Sequence, residues 1–539
     1  MLGRGVLRRK ATVLTAVILC LLLTIGQNIV EIPRGEAQAD VLRVGATTTA
    51  DLDALDPHIR TGREIAIMEN FMEPLVAYDG ETTNFRPMLA QNWNVSPDGT
   101  VWTFRLRRNV KFHDGTVFKA DAVQYALDRI NGIKQSPAYP LLQNKVKSFK
   151  VLDDYTVQFT VNKGGASVLD LMTMVLMVSP AAGKAHDNSD LAQAYFRSHP
   201  IGTGPYKLDS WDKGSKMVLA KFPDYWGGWQ SNQYTEVIDQ IIPDPSTQQL
   251  MLQRGDLDIA GYFPEGSLPA LRRDPNIVVQ ETTGFRIKLM RMNNVAGLTK
   301  DARVRKALAL AFDYDGYVKT ENGVVGPPTG PIPAAMMKGW IPDNLPKFDL
   351  AQAKALLTAA QVPQGTSFHV FVAKGDDAQL NAAQVLQASL AKIGYDLKID
   401  VQEFSDWSQA IVNWVEKDSS NPAKSPSDMF NLVVPPRIPN AWAYLWFNYD
   451  SGAVRGAGRN WYQYQVPAVD NLIDAASAQT DPAKALDMFK QAARRIVEDQ
   501  PDIFYGNEQR ISVRRASVKN YQFHPAWFPE MHFYPLRHG

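Results

Sequence analysis

The run from Leu89 to Ile130, LAQNWNVSPDGTVWTFRLRRNVKFHDGTVFKADAVQYALDRI, limits the fold more than any other stretch of the chain. From Val101 to Arg107 the side chains alternate. Trp102, Phe104 and Leu106 fall on one side, and Val101, Thr103, Arg105 and Arg107 on the other. A period of two marks a half-buried strand. Ser96-Pro97-Asp98-Gly99 ahead of it spells a tight turn, because proline fixes φ and glycine is free to take positive φ. His113-Asp114-Gly115 spells a second turn. Ala120, Val123, Leu127 and Ile130 then recur at helical spacing, so an amphipathic helix follows. The stretch predicts a hairpin feeding a helix, a framework with no chemistry of its own.

A chain of 539 residues is expected to build more than one hydrophobic core. Residues 1–39 stand apart from the rest. Arg4, Arg8, Arg9 and Lys10 form a basic start. Ala11 to Ile25 is apolar but shorter than the ~20 residues a membrane span needs. Ala37-Gln38-Ala39 supplies small residues for cleavage. This pattern predicts a secretory signal peptide over 1–39, cut before Asp40; an uncleaved anchor is the rival reading. The one cysteine, Cys20, leaves with that leader. The mature chain then has no disulfide, thiolate nucleophile or Cys-ligated metal site. Losing the leader's five basic and two acidic residues takes the formal charge from +1 to −2. No basic bias remains, so nucleic acid is not an expected partner.

Along the mature chain, Asp40 to Gly45 reads as a strand and Ile65 to Tyr78 as a helix that ends near Glu73-Pro74-Leu75. Ser148 to Val161 reads as a strand pair. Met172, Met174 and Met177 lie in an apolar run and are assigned to core packing, since methionine fills irregular gaps. Val304, Leu308 and Ala311 share a helical face, while Arg303, Arg305 and Lys306 form what reads as a solvated face. Gly326 to Pro346 is a loop rich in proline and glycine. Ala351 to Gln361, Ala378 to Ile393 and Asp481 to Asp499 predict helices, and Tyr395 to Val401 a strand. The last helix carries Leu486, Phe489, Ala493 and Ile496 on its buried side. There is no P-loop, since no Lys-Ser/Thr pair follows a glycine run.

The order Ala90-x-x-Trp93, Asp98-Gly99, Trp102-Thr103-Phe104-x-Leu106-Arg107, Val110-Lys111-Phe112-His113-Asp114-Gly115-Thr116, Ala120-x-x-Val123 resembles the signature of bacterial solute-binding protein family 5. Leu55-Asp56-Pro57-His58, Glu73-Pro74-Leu75, Gly202-Thr203-Gly204-Pro205-Tyr206, Asp224-Tyr225-Trp226-Gly227-Gly228 and Arg254-Gly255-Asp256-Leu257-Asp258-Ile259 are similar to further family segments. Ala122 and Lys119 depart from it, where an aspartate and a capping threonine are usual, and weaken the helix start. Family members supply dipeptides, oligopeptides, nickel chelates, glutathione, opines and some sugars to ABC importers.

The resemblance implies an α/β fold of the periplasmic binding protein type, with two lobes, a hinge and an extra subdomain inserted in the first lobe. It divides the mature chain into lobe I (40–78, 201–285 and 505–539), the insert (79–200) and lobe II (286–504). It implies a periplasmic, monomeric binding protein without cofactor or enzymatic step. Its partners would be a small or peptide-like solute and the permease subunits of an importer whose ATPase is a separate protein.

The solute would lie in the cleft between the lobes. In peptide-binding relatives, one segment carries an aspartate that pairs with the α-ammonium of the peptide. The matching stretch here, Val433 to Leu445, has Arg437 at that place and Asn440 at the second acidic place. A guanidinium there would repel an ammonium and favour a carboxylate or phosphate. The resemblance also sets Arg63 on the opposite lobe, able to clamp the same anion. The plainer alternative puts both arginines on the surface or in internal pairs. Of four tryptophans in the later half, Trp407, Trp442, Trp446 and Trp461, the first two are the candidates for stacking on a solute. The expected solute is therefore anionic or neutral. The rival readings are a secreted glycosidase or peptidase, and a chemotaxis, chaperone-like or haem-carrying protein on the same scaffold. The chain lacks Gly-x-Ser-x-Gly and His-Glu-x-x-His, and its eight histidines are scattered.

Overall fold

The structure is a computed structural model. It describes residues 40–46, 54–59, 67–80, 82–134, 136, 138–162, 167–418, 425–435, 439–454, 459–479, 481–522 and 532–539. The signal peptide expected over 1–39 lies outside the described residues.

Alternation in the opening run becomes a strand, Val101–Leu106, with Trp102, Phe104 and Leu106 buried. It pairs antiparallel with Ala90–Val95 across the Ser96–Gly99 turn, where Gly99 takes φ +74°. On its other side lies Thr156–Val161, itself paired with Val146–Asp153, which completes a four-stranded sheet. Helix Ala120–Ile133 packs Ala122, Val123, Leu127 and Ile130 against that sheet. Lys119 makes no side-chain cap; the Ala120 amide is instead satisfied by the Asp154 carbonyl at 2.9 Å. Met172 and Met177 are fully buried in the same core.

Two expectations change. The helix predicted from Ile65 to end near Glu73-Pro74-Leu75 stops sooner: among the described residues only Ile67 and Met68 are helical, and Val76–Tyr78 forms a short strand with Phe85–Pro87. Arg305 is not on a solvated face. It is buried and donates to the carbonyls of Thr299, Lys300, Asp499 and Gln500, closing the C-terminal end of helix Pro482–Asp499.

The larger sheet runs through the whole molecule. Its order is Asp396–Gln402, Ser367–Ala373, Met429–Val434, Ile277–Met292, Asp502–Arg515, Ile259–Ala260, Val41–Ala46, Glu236–Ile241, Lys216–Lys221 and Tyr206–Asp212. Val325–Gly326 also pairs with Asp502–Arg515. Two long antiparallel strands, Ile277–Met292 and Asp502–Arg515, belong to both halves of this sheet. Their ladder is interrupted where Gly284, Phe285 and Arg286 bulge opposite Glu508. Beyond the bulge, Arg291 and Asp502 face each other and form a buried ion pair at 2.9 Å.

The hydrophobic cores follow the same division. Leu42, Val44, Phe71, Tyr206, Val237 and Phe533 pack together on one half of the sheet. Two clusters, around Trp407, Phe430 and Tyr462 and around Leu308, Leu386 and Tyr505, lie on the other. The four-stranded sheet has its own core.

Family-like segments turn out to be joints between these units. Arg129, fully buried in the helix, donates to both oxygens of Asp56 at 3.1 and 2.6 Å and to the Leu191 carbonyl at 2.8 Å. His58 beside it is held neutral: burial first, then the Arg129 charge, push its pKa down to about 3. Glu73 accepts from Thr203 (2.8 Å), Tyr225 (2.7 Å) and Trp226 (2.8 Å), so one carboxyl ties three motif segments. Burial outweighs those donors and pushes its pKa up to about 7. Gly202 and Gly204 are required by close approach, since a Cβ on either would meet the Phe71 or Asn70 carbonyl at 2.3 or 2.4 Å.

Removing one partner of a buried pair leaves an uncompensated charge. Arg129→Ala is therefore expected to cost about 3–5 kcal/mol in denaturant unfolding. Lys111→Ala, which breaks the exposed 2.7 Å pair with Asp224, is expected to cost about 1 kcal/mol or less. Equal costs would contradict the assignment of Arg129 as a joint.

Candidate functional site

One half of the large sheet and the four-stranded unit meet, away from the long strands, at helix Ala441–Tyr449. Asn440 caps it, its Oδ1 accepting from the Ala443 amide at 2.7 Å. The same side chain donates from Nδ2 to Asp170 Oδ2 at 2.5 Å. Asp170 sits on helix Ser167–Met174 of the unit that holds the four-stranded sheet, and its Oδ1 accepts from the Tyr78 hydroxyl at 2.7 Å. Burial pushes the Asp170 carboxyl up to about 6, against the Tyr78 and Asn440 hydrogen bonds that favour its charged form.

Apolar packing crosses at the same place. Ala443 is fully buried in the core of the four-stranded unit, while Tyr444, Leu445 and Tyr449 of the same helix pack into the core around Trp407. Trp442 touches both cores. Lys145 Nζ lies 4.2 Å from the centre of its ring, and Trp446 stacks beside it at 6.1 Å. The far end of the helix is tied to the long strands, because the Tyr449 hydroxyl donates to Asp502 at 2.8 Å. One short helix thus bridges two cores and reports to the strands that join them.

Trp407 lies deeper. It is 2% exposed, stacks on Phe371 at 4.5 Å and packs on Phe430 at 4.4 Å. Its buried indole Nε1 has no hydrogen-bond partner. Arg437 and Arg63 lie outside the described residues. The structure therefore brings Asn440 and Trp442 together on the bridging helix and sets Trp407 within the adjoining core.

Sequence reading missed three arginines. Arg286, Arg510 and Arg514 lie on the long strands where these pass between the halves. Arg286 and Arg510 each approach Glu508 at 3.3 Å. The available signal was the alternation Glu508, Arg510, Ser512, Arg514 in a strand otherwise rich in apolar residues. A pocket lined by Glu69, Tyr78, Arg86, Thr173 and His532, among others, opens beside the Tyr78 contact.

Comparison with known proteins agrees with this architecture. The model of bacterial extracellular solute-binding proteins, family 5 Middle, matches residues 84–456. A protein described as a "probable D,D-dipeptide-binding periplasmic protein" of Escherichia coli (strain K12) is 28% identical over 510 residues, covering 90% of this chain and 92% of that one. The dipeptide-binding protein of the same organism is 26% identical over 485 residues, covering 84% and 86%. A solved periplasmic binding protein of Helicobacter pylori, in complex with the peptide STSA, superposes with a TM-score of 0.74 at 26% identity, over 92% of this chain and 98% of that one. A structure from Haemophilus parasuis shares the fold with a TM-score of 0.80 at 22% identity, over 93% and 100% of the two chains.

Asn440→Asp keeps a good cap but sets two carboxyls against each other across the contact. Above the shared proton's pKa they repel; at lower pH one proton bridges them. Small-angle scattering of this variant is expected to show a larger radius of gyration at pH 8 than at pH 5, by more than the wild type shows over the same interval. An unchanged radius at pH 8 would contradict the role of Asn440 and Asp170 as a fastening.

Proposed function

Since the chain belongs to the bacterial extracellular solute-binding proteins, family 5, we propose that it is the periplasmic substrate-binding component of an ABC importer. It captures a small solute between the two halves of its sheet and delivers it unchanged to membrane permease subunits, with a separate ATPase. The observation that carries this reading is the construction of the molecule. Among the described residues, separately packed units are joined chiefly by two long strands and one bridging helix, an arrangement suited to opening and closing on a ligand. No catalytic motif argues for a hydrolase.

The relatives named for dipeptides indicate a peptide-like solute, and two sequence features narrow it. Arg437 stands where peptide-binding relatives carry the ammonium-pairing aspartate, and Asn440 stands at the second acidic place. We assign Arg437, Arg63, Asn440, Trp442 and Trp407 to the ligand-binding wall. Asn440 and Trp442 are supported by their position on the bridging helix, and Trp407 by its unpartnered indole N–H. The solute is then an anionic or neutral compound, such as a modified peptide or an opine-like conjugate, rather than a dipeptide with a free amine. In the division into lobe I (40–78, 201–285, 505–539), insert (79–200) and lobe II (286–504), the boundary between lobes I and II is supported by the bulge at 284–286.

Mass spectrometry of material released on denaturing protein purified from rich medium tests both statements. One acidic or neutral compound per chain is expected, and adding it back is expected to stabilise the protein by about 2.7 kcal/mol at a hundredfold excess over Kd. Recovery of ordinary dipeptides with free amines would overturn the arginine argument. Turnover of the added compound would overturn the binding-only reading.

A further inference from the structure

The pocket beside Tyr78 is built on the short hairpin of Val76–Tyr78 and Phe85–Pro87. Ala77 and Arg86 stand directly opposite each other across that hairpin, and both line the pocket. A methyl group opposite the arginine leaves room beside it. Arg86 folds back on its own hairpin: its Nε donates to the Tyr78 carbonyl at 3.2 Å and its Nη1 to the Met88 sulfur at 3.3 Å. Pro74 and Met88 add apolar wall. The space is about 740 Å³, open solvent included, which is enough for a small organic molecule. Tyr78 and Thr173 line it too, and both hold Asp170. The Tyr78 hydroxyl donates to Asp170 Oδ1 and the Thr173 hydroxyl to the Asp170 carbonyl, each at 2.7 Å. The pocket therefore lies behind the Asn440–Asp170 contact.

Arg86 is half-buried, yet it joins no ion pair among the described residues. A thioether is a weak acceptor, so the bond to Met88 fixes the side chain more than it satisfies the charge. Its Nη2 group has no hydrogen-bond partner among the described residues. The carboxyls around it are engaged elsewhere. Glu69, in the same lining, is held by His532 at 2.5 Å. Glu73 accepts from Thr203, Tyr225 and Trp226, and Asp170 from Tyr78 and Asn440. An oriented guanidinium edge is thus left in a cavity with apolar walls, and burying such a charge without a counter-charge is costly.

We propose that this pocket is a binding site for an organic monocarboxylate, with Arg86 holding the carboxylate and Pro74, Ala77 and Met88 covering a short apolar body. The inference goes beyond the solute-receptor reading and does not rest on it. A planar carboxylate matches the guanidinium edge. One guanidinium balances a single negative charge, whereas a phosphate dianion would stay under-compensated beside Glu69. The apolar walls add a preference for an organic anion over an inorganic one. The carboxylate can come from a separate small acid or from one end of the captured solute, and an occupant of either kind touches the two residues that hold Asp170 toward Asn440.

The test uses full-length protein freed of solute by unfolding and refolding, with carbon-13 in the methionine methyl groups. Butyrate, acetate, inorganic phosphate and chloride are titrated at matched ionic strength and followed by NMR. The Met88 methyl signal, assigned by its loss in Met88→Leu, is expected to move saturably with butyrate. Acetate is expected to bind more weakly, by up to about fourfold for each methylene removed, and phosphate and chloride to leave the signal in place. Arg86→Gln is expected to weaken butyrate at least about tenfold. Ala77→Leu, which fills the pocket and keeps the charge, is expected to abolish the shift, and it decides the matter if Arg86→Gln does not fold. No saturable shift of Met88, an equal response to phosphate, or unchanged butyrate affinity in either variant would overturn the site. The solute released from purified protein is then added. Displacement of butyrate, with a shift of Met88, assigns the carboxylate to the solute; joint binding assigns the pocket to a separate small acid. Turnover of the released solute would overturn the receptor reading and leave the Met88 result standing.

Discussion

The structure depends on how its two halves are joined. Among the described residues, only Ile277–Met292 and Asp502–Arg515 carry sheet pairing from one half to the other. Each half therefore packs its own core, and the apolar contact between units is concentrated where Trp442 and Ala443 enter the core of the four-stranded unit. The Arg291–Asp502 pair and the Tyr449 hydroxyl stiffen the strands on one side of the bulge. At the bulge itself the ladder is broken and a glycine sits in it. A joint that is firm on one side and interrupted in the middle has a defined place to bend.

Contact across the bridging helix is modest. The Asn440–Asp170 hydrogen bond to a carboxyl is worth about 1.5–3 kcal/mol. The Lys145–Trp442 contact adds about 0.5–2 kcal/mol. Moving an equilibrium from 1:99 to 99:1 takes about 5.5 kcal/mol. The fastening is thus comparable to what a small ligand supplies, so a solute can decide whether the halves stay together. Protonation works in the same direction. The Asp170 carboxyl is raised to about 6 where it is buried in this contact. Lowering the pH through about 6 toward the ordinary carboxylate value therefore favours the fastened arrangement, and raising it weakens that arrangement.

Much of the framework was legible in the sequence. Period-two alternation at 101–106 and the helical spacing at 120–130 depend on local geometry, and both elements form where that geometry requires. The unread features involve residues far apart in the chain. Asn440 reads as a cap or a ligand until Asp170, 270 positions earlier, comes to meet it. Arg305 reads as surface charge until the carbonyls of Asp499 and Gln500 arrive beside it. Arg510 and Arg514 look like the exposed face of an ordinary strand; only the register with the bulge sets them between the halves. The helix expected from Ile65 to end near Glu73-Pro74-Leu75 stops sooner: Pro74 marks a limit beyond which it cannot run, but not the earlier turn at 69–71.

The central claim is that the halves separate and close about the two long strands. Because Cys20 is the chain's one cysteine and falls in the predicted leader, paired spin labels can be placed without background. Labels at Lys150, on the four-stranded unit, and Lys398, on the far edge strand, report the distance across the gap. Two distances are expected in solute-free protein, collapsing to the shorter one when the released solute is added back. A single distance that does not change with solute would contradict the account.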